Sequence, residues 1–225
     1  MPKINVYLPD DLADAVRDSG VPVSAICQRA LEQSARRVAA IRAADLDAEL
    51  ELPRFTDRAR TAIRLAVEAA RADGAPEVGS GHLLRGVLDE GQNLALRVLA
   101  ALDVDPGRVR AALPAGVEDG GATARFGVDA ANALELTVVE ATALGHNYVG
   151  CEHLLIGLAA EPDGAATTAL RSVGLEVRAI RGAVSAALAG YGHLRAQGGE
   201  MSTSVIAAAL KPLVERIEAI EARLR

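Results

Sequence analysis

Apolar residues occupy every second position from Ile4 to Leu8, with polar or aromatic residues between them. This alternation predicts a short, half-buried β-strand within residues 1–9, which Pro9 ends. Two aspartates follow directly, and acidic side chains are favourable in the first turn of a helix. We therefore predict a strand, then a helix that runs to about residue 18 and is broken at Gly20.

A second helix is predicted after a turn at residues 21–23. Ser24 is a favourable N-cap residue, and the segment AICQRALEQSARRVAAIRAADL after it is long and amphipathic. Leu52-Pro53 then marks a boundary in the chain.

From residue 55 onward the chain repeats itself with an ungapped period of 71 residues. Phe55 corresponds to Phe126 and His82 to His153, and VGSGHLLRGVL (78–88) aligns with VGCEHLLIGLA (149–159). Such a period indicates duplication of one structural unit. The first unit opens with a stripe of small and apolar residues at helical spacing, namely Ala59, Ala62, Ile63, Ala66 and Ala70. We predict about four short helices in each unit (55–113 and 126–190), with a Gly-rich, acidic linker at 113–125.

Residues 192–204 are polar and Gly-rich, which is typical of a linker. Within 205–225, apolar residues recur at alternating spacings of four and three: Ile206, Leu210, Leu213, Ile217, Ile220 and Leu224. This is the a/d pattern of a heptad helix that pairs with another helix. Pro212 either kinks that helix or begins it, and docking of the helix on its own domain is the alternative to pairing.

The composition fits a folded, largely helical protein. Half of the 225 residues are hydrophobic, 24% are charged and the formal net charge is −6. Alanine and leucine dominate and tryptophan is absent, which favours helix over sheet. The predicted fold class is therefore mainly α, with a short N-terminal strand.

Several classes of protein are excluded by what the sequence lacks. No apolar run is long enough to span a bilayer and no signal peptide is visible, so we expect a cytoplasmic protein without membrane contact. Neither lysine stands in the Gly-Lys-Ser/Thr context of a nucleotide-binding P-loop. His146 and His153 are seven residues apart, which is not the spacing of a zinc protease. We expect no enzymatic activity, no metal site and no cofactor, and a structural, helix-start role for His82 and His153.

The first 45 or so residues resemble a ribbon-helix-helix domain of the Arc, MetJ and CopG class, through the strand KINVYLP, the break at Gly20 and the second helix at Ser24. The resemblance implies a dimer in which strands from two chains pair and enter the major groove of DNA. The residues that would contact bases are Lys3, Asn5 and Tyr7. Those that would contact a phosphate are Val23 and Ser24. Residues 1–50 carry 6 basic and 8 acidic side chains, a net −2, whereas DNA-binding proteins usually present a basic face. The alternative is a module that only dimerises.

The duplicated part, residues 52–191, resembles the N-terminal domain of the Clp (Hsp100) unfoldases, closest to ClpC. The resemblance lies in FTDRAR (55–60), in GHNYVGCEHLLIGL (145–158) and in the echo of that second motif at 78–88. It implies an all-helical, pseudo-twofold domain that recruits substrates and adaptors. Because the ATPase modules of the unfoldases have no counterpart in this sequence, the resemblance implies recognition without unfolding.

The same resemblance implies two kinds of ligand site. In ClpC-like domains each repeat has a pocket for phosphorylated arginine, in which a carboxylate grips the guanidinium. Glu152, beside Cys151, keeps this carboxylate in repeat two, whereas Gly81 replaces it in repeat one. The second kind is a face between the repeats that binds cyclic-peptide antibiotics such as cyclomarin. Phe126, Arg60 and Glu135 match that face, while Leu52 stands in place of an aromatic residue and Ala131 in place of a lysine.

Together these features predict a non-enzymatic, dimeric protein that binds ClpC ligands. These ligands are peptides or phosphoarginine-bearing proteins and cyclic-peptide antibiotics. The dimer would form through residues 1–50, with 205–225 as a second contact. In the favoured interpretation the protein binds operator DNA, regulates its own gene and acts as a decoy that protects ClpC. In the alternative it is an adaptor or decoy that never binds DNA.

Overall fold

The computed structural model describes residues 5–46, 52–114, 123 and 125–198, with side chains described up to residue 189. Within these residues the chain is mainly helical. The N-terminal part holds α1 (Asp10–Ser19) and α2 (Val23–Arg42). The first repeat holds α3 (Asp57–Ala72), β1 (Glu77–Val78), α4 (Ser80–Glu90), α5 (Leu94–Ala101) and α6 (Pro106–Ala111). The second repeat holds β2 (Arg125–Phe126), α7 (Val128–Ala143), α8 (Cys151–Ala160), α9 (Ala165–Ser172) and α10 (Val177–Gly198).

The N-terminal segment differs from the sequence prediction in two respects. Residues 5–9 have no regular secondary structure in this single chain, and residues 1–4 lie outside the described part, so the predicted strand is not observed. The second helix begins at Val23 and no side chain caps its first turn, so Ser24 lies inside the helix and is not its N-cap. Pro22 holds the cap position instead, because its restricted φ suits a residue just before a helix. The helix break at Gly20 is confirmed, since Gly20 adopts a left-handed φ of 63°.

The two repeats interlock through their equivalent residues. Phe126 of β2 pairs in parallel with Val78 of β1, and Phe55 forms an isolated parallel bridge with Val149. Phe55 and Val78 are the 71-residue counterparts of Phe126 and Val149. The phenylalanine of each repeat therefore pairs with the equivalent valine of the other repeat. The repeats therefore form one domain with one core, and neither repeat completes its pairing alone.

Small residues set the spacing of the main helix pairs. The predicted stripe on α3 is confirmed: Ala59, Ala62, Ile63, Ala66 and Ala70 are all buried. A Cβ added at Gly86 of α4 would overlap the carbonyl oxygen of Ala62 and lie 2.9 Å from the backbone nitrogen of Ala66. Gly157 of α8 stands in the same relation to α7, with an added Cβ 2.6 Å from the carbonyl oxygen of Ala133. These two glycines let α3 and α7 approach their partners backbone to backbone.

The boundaries of the linkers also differ from the prediction. Arg125 belongs to β2 rather than to the linker 113–125, because it pairs with Glu77 of β1. α10 continues to Gly198 and so covers the first part of the predicted linker 192–204, which composition alone marked as non-helical. The predicted heptad helix 205–225 lies outside the described residues.

Candidate functional site

An apolar groove lies on the face of the domain where the two repeats meet. Its floor is formed by Phe55 and Phe126, and Leu134 and Val138 of α7 form one wall. The groove encloses about 410 Å³. Its complete lining is Arg37, Ala40, Ile41, Ala44, Leu52, Phe55, Ile63, Phe126, Leu134, Glu135 and Val138. We call this set of residues the Phe126 groove.

Helix α2 lies across the Phe126 groove and is held by an ion pair. The carboxylate of Glu135, which is only 4% exposed, accepts hydrogen bonds from Arg37 Nε to Oε2 and from Arg37 Nη2 to Oε1, each 2.6 Å long. Ser34 Oγ donates a third hydrogen bond to Oε1 at 2.8 Å. The hydrogen bonds to Glu135 raise the pKa of Arg37 above its ordinary value. This bidentate, charge-assisted geometry is the strong form of an ion pair.

Three of the five positions named for the cyclic-peptide face come together in this groove, and Ala131, which is fully buried, does not line it. Phe126, Glu135 and Leu52 all line it, which the resemblance predicted. Arg60 lies at its edge instead, because its Nη1 donates to the carbonyl oxygens of Leu52 at 3.2 Å and of Phe55 at 2.5 Å. Arg60 thus fixes the backbone that carries the groove floor.

Sequence reasoning missed the contribution of α2 to this face. Arg37, Ala40 and Ile41 of α2 line the groove, as does Ala44 just after the helix end, although the sequence assigns this helix to a separate N-terminal domain. The spacing of three and four residues from Arg37 to Ala40 and Ile41 places these side chains on one side of α2. That spacing was visible in the sequence, but it does not say which surface the helix side contacts.

The predicted phosphoarginine residues of repeat two line a second cavity of about 640 Å³. Arg58, Arg97 and Tyr148 line it together with Cys151 and Glu152. We call it the Glu152 cavity. Its lining holds a buried carboxylate and two guanidinium groups, of which that of Arg58 donates to Glu90 Oε1 at 2.8 Å.

Glu152 is turned back over the start of its own helix. Its side chain is almost fully buried, and Oε1 lies 3.3 Å from His153 Nδ1. Burial raises the pKa of the Glu152 carboxyl. An added Cβ at Gly150 would overlap the Glu152 carboxylate, so the glycine provides the space for this conformation. Engaging a ligand's guanidinium requires the carboxylate to rotate outward from this position.

Cys151 does not have the properties of a nucleophile. It is buried at the start of α8, and burial raises the pKa of its thiol to about 12. Since the thiolate is the reactive form, a thiol with this pKa is inert near neutral pH.

The two repeat-related histidines act as structural residues at helix starts, as predicted. His153 Nδ1 accepts a hydrogen bond from the Gly150 N–H at 3.0 Å, and His82 Nδ1 accepts one from the Gly79 N–H at the same distance. His153 is fully buried, lies 2.9 Å from His146 Nδ1 through its Nε2, and burial lowers its pKa to about 4. It is therefore neutral at pH 7.

The equivalent cavity of repeat one is smaller, about 230 Å³, and surrounds Gly81. An added Cβ at Gly81 would lie 3.3 Å from the Cβ of Ala165, so there is little room for a larger residue. A carboxylate is nevertheless present, because Asp129 of α7 accepts a hydrogen bond from the Ser80 N–H at 2.8 Å. No sequence pattern indicated this role of Asp129, which belongs to the other repeat.

The predicted DNA-contacting residues are exposed in the described part of the chain. Tyr7 is 97% exposed, and Asn5, Val23 and Ser24 are exposed as well. Lys3 lies outside the described residues. Among the described residues, no group of three metal-ligating side chains occurs and no helix is long and apolar enough to cross a membrane.

The comparisons with known proteins agree with this geometry. The chain is 34% identical over 131 residues to the negative regulator of genetic competence ClpC/MecB of Bacillus subtilis, which covers 57% of this chain and 16% of that protein. It is 37% identical over 164 residues to the Mycobacterium bovis protein Mb2686, which covers 70% of this chain and 65% of that protein. Among solved structures, the Hsp104 N-terminal domain from Candida albicans matches with a TM-score of 0.50 and 16% identity, over 58% of this chain and 88% of that one.

The chain spans about one sixth of the length of the Bacillus subtilis relative, so the similarity concerns one region of that protein. The family described as the Clp repeat (R) N-terminal domain matches residues 54–173 and 125–220. These overlapping matches cover both copies of the 71-residue unit and the part of the Phe126 groove that the repeats form. The chain therefore belongs to the Clp repeat N-terminal domain family.

Proposed function

We propose that this chain is a non-enzymatic, cytoplasmic recognition protein that binds the ligands of ClpC without unfolding them. The observation that carries the proposal is the Phe126 groove, in which two buried phenylalanines from the two repeats lie beside the buried carboxylate of Glu135. An apolar floor with one fixed charge suits a peptide that has apolar side chains and a hydrogen-bond donor. The ligands would be peptide segments of client proteins and cyclic-peptide antibiotics of the cyclomarin type.

The Glu152 cavity would supply a second, weaker site for phosphoarginine. Its lining contains the Glu152 carboxylate and the guanidinium groups of Arg58 and Arg97, which suits a ligand that carries both a guanidinium and a phosphoryl group. Glu152 has to rotate away from its helix start to engage such a ligand, which costs part of the binding energy.

The N-terminal segment would make the protein a dimeric, DNA-binding regulator of its own gene. The helix–Gly20–helix order is that of a ribbon-helix-helix module. In the single chain several large apolar residues of this segment are exposed: Val6, Leu8, Leu12, Ile26 and Leu31. A second copy of the chain would bury them, since the sheet of a ribbon-helix-helix takes one strand from each chain. Binding of a ligand at the Phe126 groove would release DNA, so that more decoy protein is made.

The alternative function is an adaptor or decoy in which the N-terminal module only dimerises. The net charge of −2 over residues 1–50 favours it, because binding to phosphates depends mainly on positive charge. Both functions share the Clp domain and differ only in whether operator DNA is bound.

Fluorescence anisotropy of labelled upstream DNA, titrated with protein and then with cyclomarin, tests the proposal. DNA binding that is lost in Asn5→Ala and Tyr7→Ala, and that weakens at least about five-fold with the compound, supports the regulator. DNA binding that is absent, together with tight compound binding, supports the decoy. A Phe126→Ala variant that binds the compound as well as the wild type contradicts the groove as the ligand site.

A further inference from the structure

The side of α2 that faces the Clp domain has the chemistry of a peptide ligand. Arg37 places a guanidinium on Glu135, Ala40 and Ile41 cover the apolar part of the Phe126 groove, and Ala44 lines it just past the helix end. This is the helix-in-groove mode of recognition, with helical anchors at i, i+3 and i+4. We propose that α2 is a reversible internal ligand of the Phe126 groove, and that a peptide ligand of this face binds only after α2 has left it. The proposal rests on the proposed function in taking this groove as the ligand face.

Both oxygens of the Glu135 carboxylate are engaged by α2. Oε2 accepts from Arg37, and Oε1 accepts from Arg37 and Ser34. A ligand that needs this buried carboxylate therefore competes directly with Arg37. The space left beside α2, about 410 Å³, is near the lower end of the range for drug-sized ligands, so a peptide that covers the whole groove has to displace the helix.

Helix α2 is attached to the Phe126 groove by contacts that can break. No residue of α2 is fully buried, and the Arg37 side chain is 45% exposed. The second ion pair of this helix with the domain, Arg42 with Glu77, is longer, at 3.8 Å. Because binding requires the open state, the apparent affinity for a ligand equals the intrinsic affinity multiplied by the fraction of open molecules. Weakening the contacts between α2 and the groove therefore raises the apparent affinity of the groove for a ligand.

The structure implies the class of ligand that this face accepts. Such a ligand is an amphipathic peptide that offers a cationic group or several N–H donors next to small and branched apolar side chains, as α2 does. A purely acidic peptide would meet Glu135 as a like charge and be rejected.

The first test uses hydrogen exchange in the full chain, without any ligand, to measure how firmly α2 is attached to the groove. Arg37→Ala is compared with Arg36→Ala, which removes the same charge from the neighbouring, 82% exposed position whose partner is Glu32 on the same helix. We expect faster exchange across residues 31–42 in Arg37→Ala only, because a helix detached from its partner is marginally stable in water. Equal exchange in the two variants would overturn the proposal.

The second test uses a synthetic peptide of residues 23–45 as the probe, titrated into the three full-length proteins by calorimetry. We expect Arg37→Ala to bind it about 3- to 10-fold more tightly than wild type and Arg36→Ala do, which corresponds to the loss of one partly exposed ion pair. A control peptide carrying Arg37→Ala should bind more weakly to all three. Equal affinity of the three proteins, or no binding to Arg37→Ala, would overturn the internal-ligand proposal. If these results hold and cyclomarin binds none of the proteins, the proposed antibiotic ligand is wrong and the internal ligand stands.

Discussion

The two repeats differ in the carboxylate that lies over the start of their second helix. In repeat one the Ser80 N–H at the start of α4 donates to Asp129, a carboxylate from the other repeat. In repeat two the carboxylate over the start of α8 is Glu152, from the helix itself, in the space left by Gly150. Both helix starts keep a histidine that accepts a hydrogen bond from a glycine N–H.

After duplication, the residues at the helix contacts and the residues that line the cavities differ between the repeats to different extents. Asp129 links the repeats by one hydrogen bond to the helix start, and Gly81 stands at the position that Glu152 occupies in repeat two. Glu152 lies over the start of its own helix, 3.3 Å from His153 Nδ1, and lines the Glu152 cavity. The residues that shape the helix pairs stayed alike in both repeats, while those that line the cavities diverged.

The largest expected effect concerns a feature that the repeats share. Gly86→Ala places a Cβ against the backbone of α3, and Gly157→Ala places one against the backbone of α7 and the Thr137 hydroxyl. We expect each change to destabilise the fold by about 3 kcal/mol or more, because overpacking against backbone has little room to relax. Thermal or urea unfolding measures the loss. Gly182→Ala in α10 is the matched control, since an added Cβ there meets nothing within 4 Å.

Acidic pH should distinguish the two helix-start histidines. Burial lowers the pKa of His153 from its usual 6.5 to about 4, so the unfolded chain takes up a proton first as the pH falls. Stability from this group is complete above pH 6.5 and declines between pH 6.5 and 4, by about 1.4 kcal/mol per unit at most. Glu152, whose pKa is raised by burial, changes stability in the opposite direction as it protonates.

The measurement is urea unfolding from pH 7.5 to 4. His153→Asn keeps an acceptor for the Gly150 N–H and should flatten the decline. His82→Asn should alter it less, because the nearby Asp73 partly offsets the effect of burial on the pKa of His82. A decline that is unchanged in His153→Asn would show that other groups cause it.

The phosphoarginine sites should be unequal. We expect calorimetry with free phosphoarginine to find at most one site per chain, with affinity lost by about 1.5–3 kcal/mol in Glu152→Ala, since a hydrogen bond to a charged group contributes that much. Asp129→Asn serves as the control that leaves the Glu152 cavity intact. Two equal sites in the wild type would contradict the assignment to Glu152.

The smallest expected effect tests the link between the repeats. Asp129→Ala removes the carboxylate that receives the Ser80 N–H and should cost about 1 kcal/mol in the free energy of unfolding, as loss of a helix cap does. Asp129→Asn should recover part of this loss, because its amide oxygen still accepts the hydrogen bond. A loss that Asn does not reduce would point to charge rather than capping.

Much of the domain was predictable from its periodicities. The 71-residue repeat predicted a duplicated helical unit, and the structure shows the equivalent residues Phe55 and Phe126 in equivalent pairings. The resemblance at Phe126, Leu52 and Glu135 brought together three residues that do line one groove. The ends of elements were less predictable: α10 continues through the Gly-rich segment to Gly198, because glycine lowers helix propensity without forbidding a helix.

The sequence by itself determined the helical class, the duplication and the small-residue contacts, because these follow from local propensity and from spacing along one chain. Only the tertiary structure decided which surface α2 covers and which carboxylate caps α4. Arg37 and Glu135 are 98 residues apart, and Ser80 and Asp129 are 49 apart. An amphipathic pattern states that a helix has an apolar side, but the partner of that side is selected by the shape and charge of a surface that exists only after the repeats have interlocked.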